Sequence, residues 1–116
     1  MKKIILDTNF ILIPFQFKVD IFSELERICH FSYKIYILDK SLDELKKLKY
    51  NKLALELIKQ KNIKVIKTKN SAYVDSQLKK LKNVIIATND KKLIKDLKVP
   101  IIILKQKKYL VMKNVL

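Results

Sequence analysis

Five short apolar runs alternate with helix-like patterns and constrain this chain most: Lys3–Leu6, Lys34–Leu38, Ile63–Ile66, Val84–Ala87 and Ile101–Leu104. Strands apolar on both sides belong to a parallel sheet covered on both faces. The intervening stretches supply the covers. Apolar residues recur at three- and four-residue spacing over 20–31, 41–50, 51–61, 74–81 and 91–97, which predicts helices there. Tyr109–Met112 reads as an edge strand, and Asn9–Phe17, with Pro14, is the least regular stretch. The expectation is an α/β fold: a three-layer α/β/α sandwich around a central, mainly parallel sheet, forming one domain over residues 1–116.

Composition narrows the chemistry. The formal charge is +15, and Arg27 is the sole arginine among 26 basic residues. A small domain so basic favours a nucleic-acid partner, ahead of an anionic membrane surface. The competing reading is a solvated lysine surface. Glycine is absent. That excludes the Walker A loop and the G-x-G-x-x-G fingerprint, where glycine lets the backbone approach phosphate closely. One cysteine and one histidine argue against a zinc site or a Cys/His dyad. Cys29 lies on an apolar helix face with Ile21, Phe22, Leu25 and Ile28, so it reads as core. No signal peptide and no ~20-residue apolar span is evident, and a lone cysteine suits the cytoplasm.

Four of the eleven acids fall where strands give way to helices: Asp7, Glu44, Asp75 and Asp90. Right-handed crossovers bring such loops to one edge of a parallel sheet, the edge where ligands bind. Four carboxylates there would repel one another, and a hard divalent cation relieves that; oxygen donors favour Mg²⁺ or Mn²⁺. Each acid also has an ordinary role. Ser41 and Glu44 have the spacing of a capping box. Asp75 suits a helix dipole, Asp90 an N-cap and Asp7 an Asx turn.

The motifs resemble those of the PIN domain, a metal-dependent nuclease fold. They are Ile4-Ile5-Leu6-Asp7-Thr8-Asn9, Leu42-Asp43-Glu44-Leu45, Tyr73-Val74-Asp75-Ser76 and Ile85-Ile86-Ala87-Thr88-Asn89-Asp90, in that order. Within the superfamily the chain is similar to single-domain archaeal proteins akin to the Fcf1/Utp24 ribosomal-RNA processing nucleases, and the resemblance covers nearly its whole length. It implies an endoribonuclease that hydrolyses RNA phosphodiester bonds, leaving 5′-phosphate and 3′-hydroxyl ends, in RNA processing. Asp7, Glu44, Asp75 and Asp90 would be the catalytic, metal-binding acids, with Asn9 and Thr88 orienting them. Lys91, Lys92, Lys105, Lys107 and Lys108 would hold the backbone of single-stranded or structured RNA, pre-rRNA included, and Tyr73 and Tyr109 would stack bases. A homodimer fits the small size. One departure stands out: relatives often carry two adjacent aspartates where this chain has Asp75-Ser76. Two alternatives stay open, a toxin-type PIN ribonuclease of a toxin–antitoxin pair and a non-catalytic RNA-binding or ribosome-assembly factor. An Asp-x-Asp phosphohydrolase is disfavoured because Asp7-Thr8-Asn9 lacks the second aspartate. A receiver domain is disfavoured because Lys67 follows Ile66.

Overall fold

A computed structural model of the chain describes residues 1–67 and 83–113. The expected helix over 74–81, with Tyr73, Asp75 and Ser76, lies outside the described residues. Among the described residues six strands form one sheet: β1 (Lys2–Leu6), β2 (Tyr33–Leu38), β3 (Lys64–Ile66), β4 (Val84–Ala87), β5 (Ile101–Lys105) and β6 (Tyr109–Lys113). Their order is β3-β2-β1-β4-β5-β6. The first five pair in parallel, and β6 runs antiparallel to β5 at the edge. The mainly parallel α/β architecture read from the apolar runs is the one observed.

Alternation along β1 explains the two layers of core. Ile4 and Leu6 belong to one apolar cluster and Ile5 to the other, because successive side chains point to opposite faces. All three are at most 2% exposed. Burying each contributes about 1.5–3 kcal/mol. The first face is covered by α1 (Ile13–Phe17), α2 (Ile21–Ile28), α3 (Asp39–Leu45) and α4 (Asn51–Gln60), whose Ile13, Ile21, Leu25, Leu45, Ala54 and Ile58 join the larger cluster. Cys29 is buried in that cluster too, and burial pushes its thiol pKa up, as expected of a core residue. On the second face α5 (Lys91–Asp96) contributes Leu93 and Ile94, with Leu97 beyond its end.

Three local expectations differ. The irregular stretch contains α1, which tolerates Pro14 in its first turn, where the missing N–H has no partner to lose. The helix expected over 20–31 stops at Ile28 because Cys29 is already extended, at φ −100° and ψ 109°. The capping box does not form. Leu38 leaves β2 in extended geometry and α3 begins at Asp39, so Ser41 falls inside the helix and is buried. Helix α3 then ends early: Lys47 N–H and Leu48 N–H donate to carbonyls three residues back, and Tyr50 turns to φ 69°.

Without glycine, the left-handed backbone positions fall to other residues. Lys18, Tyr50, Asn62, Asn83, Gln106 and Lys107 all have positive φ near 54–69°. Asparagine tolerates this region, whereas for the others it costs about 1–2 kcal/mol each.

An edge strand invites unwanted pairing, and β6 is shielded on its outer side. The Leu110 N–H donates to Glu24 Oε1 at 2.9 Å. The Leu110 carbonyl accepts from the Arg27 guanidinium at 3.0 Å. Arg27 also pairs with Glu24 through two hydrogen bonds, so a two-residue clamp on α2 satisfies both backbone groups of Leu110, at the second position of the strand.

Candidate active site

Strand order reverses between β1 and β4. The chain leaves β1 toward one face and β4 toward the other, which opens a crevice at their carboxyl ends. Asp7 and Asp90 follow these two strands.

Asp7 is half-buried, and both its oxygens are engaged. Oδ1 accepts the Thr8 N–H at 2.8 Å, and Oδ2 accepts the Thr88 hydroxyl at 2.9 Å. The Asp7 N–H donates to the Ala87 carbonyl at 2.9 Å, which extends the β1–β4 ladder and fixes the backbone. Thr88 is fully buried. Its hydroxyl oxygen also accepts the Asp90 N–H at 3.1 Å, so one side chain joins the two aspartate loops. Asp90 Oδ1 accepts from Lys92 N–H and Leu93 N–H at 3.0 and 3.3 Å, making Asp90 the N-cap of α5. The capping reading of Asp90 therefore holds in geometry, and the same carboxylate stands at the crevice.

Glu44 comes from α3. It is exposed, and its Oε2 accepts the hydroxyl of buried Thr8 at 3.0 Å. A chain of contacts thus runs Glu44–Thr8–Asp7–Thr88–Asp90 along one edge. Among the described residues no three His, Cys, Asp or Glu side chains gather closely enough to hold a metal ion directly. Asp75 falls outside those residues. Asn9 is exposed beside Asp7, where its carbonyl accepts the Leu12 N–H.

Three residues at this edge escaped the sequence reading. Thr8 links Asp7 to Glu44. Asn89 forms a two-way clamp on β5: its Oδ1 accepts the Leu104 N–H at 2.8 Å, and its Nδ2 donates to the Leu104 carbonyl at 3.2 Å. Asp39 follows β2 directly, and its Oδ1 accepts the Lys40 N–H. A signal for the first two was present: both β1 and β4 run out into a Thr-Asn pair, Thr8-Asn9 and Thr88-Asn89.

The five expected RNA-binding lysines occupy two neighbouring places. Lys91 and Lys92 open α5, while Lys105, Lys107 and Lys108 sit at the β5–β6 turn, all exposed. The Lys107 Nζ stands 5.6 Å from the Phe17 ring centroid, a cation–π contact that ties the turn to the end of α1. Tyr109 is partly exposed at the start of β6.

Residues 4–107 match the PIN-like domain family. The chain is 37% identical over 125 residues to Ribonuclease VapC4 of Methanocaldococcus jannaschii, an alignment covering 94% of this chain and 95% of that protein. The solved structure of the PIN domain endonuclease Utp24 shares the fold, with a TM-score of 0.82 at 24% identity over 98% of this chain and 95% of that one. The strand order, the Asp-Thr-Asn turn and these matches agree: the chain belongs to the PIN-like domain family.

Proposed function

We propose that this chain is an endoribonuclease that hydrolyses RNA phosphodiester bonds with the help of Mg²⁺ or Mn²⁺ and acts in RNA maturation, ribosomal RNA included. The observation that carries the reading is the pair of aspartates held by one buried hydroxyl at the switch point, Asp7 through Oδ2 and Asp90 through its N–H. A relative sharing 37% of its residues bears the name ribonuclease, which supports the same reading.

The donor set suits a hard cation. Carboxylate oxygens are its preferred ligands, and Mg²⁺ commonly keeps several waters while using one or two carboxylates. That matches an edge where Asp7, Glu44 and Asp90 lie in one chain of contacts without a tight three-acid cluster. Asp75 is the fourth acid the motifs assign. A cation bound there would lower the pKa of a water and offset charge on the phosphate and the leaving oxygen.

The chain's own residues do the positioning. Thr8 N–H and the Thr88 hydroxyl fix the Asp7 carboxylate, and each oxygen retains a lone pair for the crevice. Asp90 is held by the first turn of α5. Lys91, Lys92, Lys105, Lys107 and Lys108 draw the phosphodiester backbone to an edge that the carboxylates alone would repel.

The test is cleavage of a labelled single-stranded RNA with Mn²⁺, with Mg²⁺ and with EDTA, for the wild-type chain and Asp7→Asn. Metal-dependent cleavage that disappears in the variant is expected. RNA binding without cleavage under every condition would overturn the reading in favour of a non-catalytic binding module.

A further inference from the structure

Beside the crevice a cleft of about 550 Å³ opens between α5 and the β5–β6 hairpin. Its size falls within the range of about 300–1,000 Å³ usual for ligand sites. Ile94 and Ile103 form an apolar wall; both are half-buried at the margin of the second apolar cluster. Lys91, Lys95, Lys105 and Lys113 line the cleft, and among the described residues no carboxylate does. Asn89, which clamps β5 next to Asp90, lines it too, so cleft and crevice share a wall.

We propose that this cleft is the path by which single-stranded RNA leaves the site, with one unpaired base seated on Ile94 and Ile103 and the flanking phosphates on the lysines. The proposal rests on the nuclease reading and assigns it a substrate class: RNA unpaired on the α5 side of the cut. Three features select this occupant. The first is composition, since an apolar wall rimmed by cations matches a base flanked by phosphates. The second is extent. Lys105 pairs with Tyr109 at one end of the hairpin, and Lys113 pairs with Ile101 at the other. Four strand steps separate those ends, about 13 Å at 3.3 Å per residue, so the lysines form a track and not a socket for one anion. The third is continuity, because the track begins at Lys91, one residue after Asp90.

Lys95 and Lys113 are exposed and neither belongs to the carboxylate edge, so Lys95→Gln/Lys113→Gln tests the path without touching the proposed chemistry. Binding of a labelled oligouridylate is measured in EDTA across a salt series, beside thermal melting and cleavage with Mn²⁺. Expected are an unchanged melting temperature, severalfold weaker binding and a salt slope smaller by about 1.4, from two lost phosphate contacts at about 0.7 each. Equal affinity and slope in a variant that melts normally would overturn the path and leave the nuclease reading standing. A wild-type chain that neither binds nor cuts RNA would overturn both. A second measurement needs no variant: oligouridylates carrying one abasic residue at successive positions bind the wild type. Severalfold weakening at a single position is expected, and a flat profile overturns the base seat. Uridine monophosphate binding that the double variant abolishes, with RNA affinity unaltered, would overturn the proposal in favour of a mononucleotide pocket.

Discussion

The Thr88 hydroxyl donates to Asp7 Oδ2 across a separation of 81 residues, and the same oxygen receives the Asp90 N–H. Removing it should uncouple both acids. Thr88→Val keeps the shape but leaves the Asp90 N–H without its acceptor, which costs about 1–3 kcal/mol in a denaturant titration. Cleavage should fall by about 10–100-fold, the usual effect of losing a group that orients a ligand. Thr88→Ser should recover most of both. A valine variant with wild-type cleavage would sink the positioning role.

Asp90 has two roles that substitution separates. Asparagine is as good an N-cap as aspartate, so Asp90→Asn should keep the bonds from Lys92 and Leu93 and melt like the wild type. Asp90→Ala should lose about 1 kcal/mol. Both variants should lose cleavage if the charge matters. An active, stable Asp90→Asn would reduce the residue to a cap.

The edge clamp predicts an acid response. Arg27, Leu110 N–H and their proximity hold the Glu24 carboxyl below its ordinary value of 4.5. The hydroxyl and N–H of Ser23 do the same for Asp20, below 3.8. A depressed folded pKa gives stability that is present above the unfolded value and lost as pH falls through the folded one. Urea midpoints should therefore decline once pH drops below about 4.5. Glu24→Gln should flatten part of that decline, and an unaltered pH profile would show that the clamp adds nothing by charge.

Lys18 closes α1 with φ 55° and ψ 40°. Lys18→Gly removes a left-handed penalty of about 1–2 kcal/mol and adds unfolded-state entropy worth about 0.5–1 kcal/mol. A net gain of up to about 1.5 kcal/mol is expected by thermal melting. Destabilisation would mean that the lysine's contacts outweigh the backbone strain.

Much of this was legible in the sequence because β1, β4 and β5 are buried on both faces, and unbroken runs such as Val84–Ala87 read only one way. Local boundaries were harder. Ser41 and Glu44 have capping-box spacing, yet tertiary contacts decided their roles: Ser41 is buried within α3 and Glu44 reaches Thr8 on another element. Thr8 and Asn89 act through partners 36 and 15 residues away, which periodicity does not encode. The placing of Asp7 and Asp90 on one edge followed from topology alone, whereas the hydroxyl that joins them needed coordinates.

The Glu24 and Arg27 clamp binds Leu110 across 86 and 83 residues, and the crevice is bridged across 81. Closures this long are formed late and slowly, because chain entropy must be overcome before any contact rewards it. The lysine-bearing hairpin is therefore set in place by a helix from the other end of the chain. Neither the crevice nor the hairpin is complete until segments more than 80 residues apart have met, so site and fold are expected to form in one step.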